Sequence, residues 1–72
     1  MDKDISFFEF TQLTQEEQYH LVFTQGEFIE ALEKERLKYV QYQLYNFFVE
    51  VIYNAKDNKI IGLTSFISSK NY

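Results

Sequence analysis

The sequence predicts an α+β domain in which one N-terminal helix packs on a four-stranded antiparallel β-meander. The first observation is an apolar run at residues 47–53, where six of the seven residues are aromatic or β-branched and suit a central strand. The second is a helix-start signal at Thr14. The third is a set of further strand-like stretches that turn-prone residues separate from the central run.

The composition indicates how a chain of this size is stabilised. It has 72 residues, with 8 Phe, 6 Tyr and no cysteine, which predicts a single domain over residues 1–72. A domain this small buries only about 60% of the surface that its unfolded chain exposes, and disulfides are excluded. We therefore expect a dense aromatic core and self-association as a homo-oligomer. The lack of cysteine is typical of cytoplasmic proteins.

The charge of the chain is acidic and unevenly spread. The net charge is −4, made of −7 in residues 1–33 and +3 in residues 34–72. Nucleic acids require a basic footprint, so we expect no nucleic-acid partner. No apolar run approaches the roughly 20 residues that span a bilayer, so no membrane association is expected. The acidic first part leaves open an inhibitor that mimics nucleic acid.

Both ends of the chain are expected to lie outside the main elements. Residues 1–13 form an N-terminal aromatic arm, whose phenylalanines should lie on the domain or on a partner. Residues 68–72 form a polar tail that is expected to fray.

The predicted helix over residues 14–24 has a signal at each end. Thr14 and Glu17 form a capping box at its start, and Gly26 is expected to close it in a left-handed conformation. Residues with the spacing of a core-facing stripe lie between them. These are Tyr19, Val22 and Phe23.

Residues 27–45 allow two interpretations. Up to residue 38 they are rich in helix formers, with Glu30 and Lys34 four positions apart, which predicts a second helix. Alternatively, a strand over residues 28–33 is followed by a charged turn and by a second strand over residues 38–44, where apolar and polar residues alternate. Tertiary context often overrides local propensity, so both interpretations stay open at this point.

The last strand is predicted over residues 58–67. A tight hairpin with Asp57 and Asn58 at its turn would join it to the central strand. In the register that this turn sets, Tyr53 covers Gly62, an arrangement that fills the gap left by a strand glycine.

A second hairpin with Tyr45 and Asn46 at its turn would join the strand over residues 38–44 to the central strand. Together the two hairpins divide the strand residues between two faces of the sheet. The apolar face should receive the helix and is expected to carry Val40, Tyr42, Leu44, Phe47, Val49, Val51, Tyr53, Ile60 and Phe66. The second face keeps large apolar side chains where a solvated sheet face normally becomes polar, and such patches mark interaction surfaces. Alternatively, the aromatic arm folds over it. The predicted contact residues are Tyr39, Gln41, Phe48, Glu50, Ile52, Ile61 and Leu63.

A resemblance adds to this fold prediction. The capped helix and the strand residues after it resemble a loose group of small uncharacterised bacterial proteins over residues 14–66. The residues that carry the resemblance are Gly26, Phe28, Ile29, Leu44, Asn46, Phe47, Phe48, Val49, Glu50, Val51 and Tyr53. The resemblance implies one helix followed by a four-stranded antiparallel sheet, which favours the strand interpretation of residues 27–38. It implies no activity.

The residues that could carry chemistry do not form a recognisable catalytic or metal-binding pattern. His20 is the only histidine and is expected at the helix surface, whereas Glu50 interrupts the apolar central strand. An acid/base or small-ligand site around these two residues is the alternative hypothesis. We expect no catalytic residue, cofactor or metal ligand. The prediction is a non-enzymatic protein-interaction or accessory module in the cytoplasm.

Overall fold

A computed structural model describes residues 5–67 and confirms the predicted α+β arrangement. Two helices precede a single sheet whose strands are antiparallel neighbours in the order β1-β2-β3-β4. The predicted tail at residues 68–72 and residues 1–4 lie outside the described part of the chain. The elements are α1 Phe7–Thr11, α2 Gln15–Gln25, β1 Glu27–Lys34, β2 Leu37–Leu44, β3 Phe47–Asn54 and β4 Ile60–Phe66.

Helix α2 begins as predicted, at a reciprocal capping box. The Glu17 N–H donates to Thr14 Oγ1 at 3.2 Å, and the Thr14 N–H donates to Glu17 Oε1 at 3.0 Å. The short helix α1 was not predicted, although Ser6 and Glu9 form the same motif at its start. Each box satisfies backbone N–H groups that a helix start leaves without partners.

Gly26 ends α2, but not in the predicted left-handed conformation. Its φ of −73° and ψ of 148° are extended. Its N–H donates to the Val22 carbonyl at 2.9 Å, and a Cβ at Gly26 would lie 2.5 Å from that carbonyl oxygen. Glycine is therefore suited to this position by close approach of the backbone and not by a positive φ.

Residues 27–34 form a strand, so the helix interpretation of residues 27–38 is wrong. β1 pairs with β2 through a hairpin whose first turn residue, Glu35, has a φ of 59°. A single helix over these residues would leave β2 without its neighbour on that side. Sheet pairing therefore overrides the local preference for helix.

The core lies between the helices and one face of the sheet, which we call the helix face. The aromatic arm packs here through α1, with the Phe10 and Phe7 rings 5.2 and 5.8 Å from the Phe47 ring. Phe7 and Phe10 therefore do not fold over the opposite side of the sheet, which we call the second face. The fully buried core residues are Phe10, Val22, Leu44, Phe47, Val49 and Val51.

The β3–β4 register differs from the prediction by one residue over most of β4. The Asn54 N–H donates to the Lys59 carbonyl at 2.8 Å, so the connection is longer than the predicted Asp57-Asn58 turn. A bulge then shifts the pairing between Ile52 and Tyr53. Because side chains alternate along a strand, a shift of one residue moves each of them to the other face.

This shift corrects the predicted face assignments along β4. Leu63 opposes Val51 and lies on the helix face with Ser65, whereas Gly62 opposes Ile52 on the second face and is not covered by Tyr53. Phe66 opposes Phe48 and also lies on the second face.

Candidate interaction surface

Five of the seven predicted contact residues share the second face. The β2–β3 register is as predicted, with Tyr39 opposite Ile52 and Gln41 opposite Glu50. Phe48 lies on the same face beside them. The two-residue loop at Tyr45 and Asn46 sets this register.

The other two predicted contact residues lie elsewhere. Leu63 packs against the core from the helix face, because the bulge reverses the alternation in β4. Ile61 is exposed at the bulge between two paired positions. Phe66 lies opposite Phe48, and the two rings stack with centroids 5.9 Å apart.

The centre of the second face is buried. Gln41 and Glu50 keep only 6% and 5% of their surface exposed, and Gln41 Nε2 donates to Glu50 Oε2 at 3.5 Å. Tyr39, Phe48 and Ile52 around them are half-buried. The middle of this face therefore offers less accessible apolar surface than the sequence predicts.

Strand β1 also carries accessible apolar side chains. All eight of its residues are exposed, and the sheet order leaves it with β2 as its only strand neighbour within residues 5–67. Phe28 is 61% exposed and Leu32 is 52% exposed. The predicted contact residues include none from this strand, although its apolar residues among charged ones are a signal visible in the sequence.

Aromatic contacts hold the helix-face side of β1. The Phe28 and Phe23 rings each meet the Tyr42 ring edge-on, at 6.4 and 6.1 Å, and Phe23 stacks on Tyr19 at 6.1 Å. Burial raises the pKa of Tyr42, and the neighbouring Tyr53 raises it further. The Phe23 and Phe28 rings are thus exposed to solvent but held in position by their contacts with Tyr42. We call Phe23, Phe28, Leu32 and the outer backbone edge of β1 the β1 surface.

The direction of the β1 backbone groups follows from the hairpin. The Arg36 carbonyl accepts from the Ala55 N–H at 2.9 Å and so points toward β3. Backbone groups alternate in direction along a strand, so Leu37 points toward β1 and bonds with Lys34, its opposite residue. By the same alternation, the N–H and C=O groups of Ala31 and Glu33 point away from β2.

The alternative acid/base site is not assembled. Helix α2 packs through Val22 on the helix face, whereas Glu50 lies on the second face. His20 is exposed on α2. It lines a surface cleft of about 550 Å³ with Leu13, Thr14, Glu16, Glu17 and Leu21.

Within residues 5–67, no group of three or more His, Cys, Asp or Glu side chains could hold a metal ion. None of the helices in this part of the chain has the length and apolar character needed to cross a membrane.

Comparison of the chain with protein-family profiles, with curated proteins and with solved structures gives no match. The resemblance to small bacterial proteins therefore stays a prediction.

Proposed function

We propose that this chain is a non-enzymatic protein-interaction module that accepts an extended segment of a protein partner along β1. The observation that carries the proposal is the exposure of all eight β1 residues on a strand at the sheet edge. In strand addition, main-chain hydrogen bonds supply affinity and alternate side chains supply specificity. The outward N–H and C=O groups of Ala31 and Glu33 would make those bonds.

The side chains of β1 suit selective binding. Leu32 opposes Tyr39 on the second face, and Phe28 opposes Tyr42 on the helix face. An added strand would therefore find an apolar neighbour on each side of the sheet. Glu30 and Lys34 place charges beside them, and charged residues on an edge strand suppress indiscriminate pairing.

The second face, which carries most of the predicted contact residues, borders the β1 surface. Leu32 extends the row formed by Tyr39 and Ile52 across the second face. The proposal therefore keeps the interaction role expected from the sequence and moves its centre from Phe48 and Glu50 to the sheet edge. We propose that the protein acts in the cytoplasm with a protein partner, consistent with the absence of cysteine and with its acidic charge.

The experiment is site-specific photo-crosslinking in cells. A photoreactive residue replaces Leu32 on β1 or, as the control, the exposed Thr64 on β4 at the opposite edge. We expect covalent protein adducts from position 32 and few from position 64. Ala31→Pro should abolish the adducts, because it removes an outward N–H that the sheet itself does not use.

A circular dichroism spectrum checks that the Ala31→Pro variant keeps its fold. Adducts that persist in a folded Ala31→Pro variant, or that form equally at both edges, would refute strand addition along β1.

A further inference from the structure

We propose that the strand added to β1 is the β1 strand of a second copy of this chain, antiparallel, with the two-fold axis at Leu32. This inference rests on the proposed function and names the partner of the same surface. Three properties of β1 select this occupant and this register: the length of its unbroken segment, the direction of its backbone groups and the order of its charges.

The unbroken segment of β1 is symmetric about Leu32. A bulge interrupts the pairing between Phe28 and Glu30, and the turn begins at Glu35, whose φ is 59°. Regular strand geometry therefore covers residues 30–34, with Leu32 at the middle. Two such segments overlap completely only when Leu32 of one copy lies opposite Leu32 of the other.

The backbone groups agree with this register. Ala31 and Glu33 point outward, and the axis at Leu32 places Ala31 of each copy opposite Glu33 of the second copy. Outward groups therefore meet outward groups and form hydrogen-bonded pairs, while Leu32 occupies the closer, non-bonded position. A shift of the pairing by a single residue would instead oppose outward groups to inward ones.

The charges on β1 favour this register over those with the axis at another residue of the segment. With the axis at Leu32, Glu30 lies opposite Lys34 of the second copy, and symmetry repeats the pair. An axis at Glu30 or at Glu33 would place two identical carboxylates opposite each other, which is destabilising. An axis at Ala31 would oppose Glu30 to the apolar Leu32.

The apolar side chains become continuous in this arrangement. The row of Ile52, Tyr39 and Leu32 on the second face would continue through Leu32 into the same row of the second copy. The opposite edge offers no comparable selection, because β4 carries no charged residue between Ile60 and Phe66 to set a register.

The test measures the mass of the purified protein by light scattering across a concentration series, for the wild type and three variants of β1. The wild type should reach the mass of a dimer. Glu30→Lys and Lys34→Glu should each weaken dimerisation about 10- to 30-fold, because symmetry places two like-charge pairs in the interface. The double variant restores opposite charges and should return to within about threefold of the wild type.

Thr64→Lys, on the β4 edge, is the matched control and should not change the dissociation constant. A wild type that stays monomeric at every concentration would overturn the inference. Single charge reversals that leave the dissociation constant unchanged would also overturn it. So would a double variant whose dissociation constant does not return toward that of the wild type. Adducts from position 32 to a different protein, together with a monomeric wild type, would refute the second copy as partner while leaving the proposed function intact.

Discussion

Replacing Gly26 with alanine tests the close approach that ends α2. A Cβ at this position would lie 2.5 Å from the Val22 carbonyl oxygen and 3.4 Å from Tyr42 Cβ. The same oxygen accepts the Gly26 N–H at 2.9 Å, so moving it away weakens a hydrogen bond worth about 1 kcal/mol. Overpacking adds about 1–3 kcal/mol. Reduced freedom of the unfolded chain offsets about 0.4–1 kcal/mol.

The free energy of unfolding of Gly26→Ala should therefore fall by about 2 kcal/mol, which lowers the Tm by about 8–16 °C for a domain of this size. Urea unfolding followed by circular dichroism measures the change, at one protein concentration so that self-association stays constant.

Gly62 provides the matched control, because nothing lies within 4 Å of a Cβ built there. Gly62→Ala should leave the free energy of unfolding unchanged or raise it by up to about 1 kcal/mol. If the two substitutions had equal effects, the steric account of Gly26 would be wrong.

Two further predictions concern a turn and a tyrosine. Glu35 is exposed with a φ of 59°, so Glu35→Gly should raise the free energy of unfolding by about 1 kcal/mol in urea unfolding, whereas Glu33→Gly in the adjoining strand should lower it. Burial raises the pKa of Tyr42 above 10.0, its ordinary value, so its contribution to stability is complete below pH 10 and is lost as the pH rises through the raised value. Tyr42→Phe should flatten this alkaline loss of stability; an unchanged slope would contradict the assignment.

The sequence predicted the elements whose signals are local. The capping box of Thr14 and Glu17 located the start of α2, because it requires only residues within one helical turn. The loop at Tyr45 and Asn46 located the β2–β3 register for the same reason. The strand β1 could not be decided locally, since its residues favour helix and become a strand only by pairing with β2.

The β3–β4 register shows the opposite case. Asp57 and Asn58 are suited to a turn, but the connection closes between Asn54 and Lys59 and a bulge follows. Neither feature has a strong sequence signal, and a one-residue difference is sufficient to exchange Leu63 and Phe66 between faces. The predicted face of Leu63 was wrong for this reason.

The same limitation explains why the β1 surface was missed. A charged segment that forms a helix would expose Glu30 and Lys34 to water without further consequence. In an edge strand the same residues lie beside backbone N–H and C=O groups that point away from β2. The functional prediction therefore depended on whether residues 27–38 form a helix or a strand, and local propensity is not sufficient to decide between the two.

The contact between α1 and β4 has a consequence for the order in which the chain folds. Each strand pairs with the strand next to it in sequence, and such short-range contacts form quickly. Helix α1, however, precedes all four strands in the sequence, and β4 is the last of these strands. During translation the contact between α1 and β4 can therefore form only after β1, β2 and β3 have left the ribosome, and the closing of the core becomes a late, long-range step.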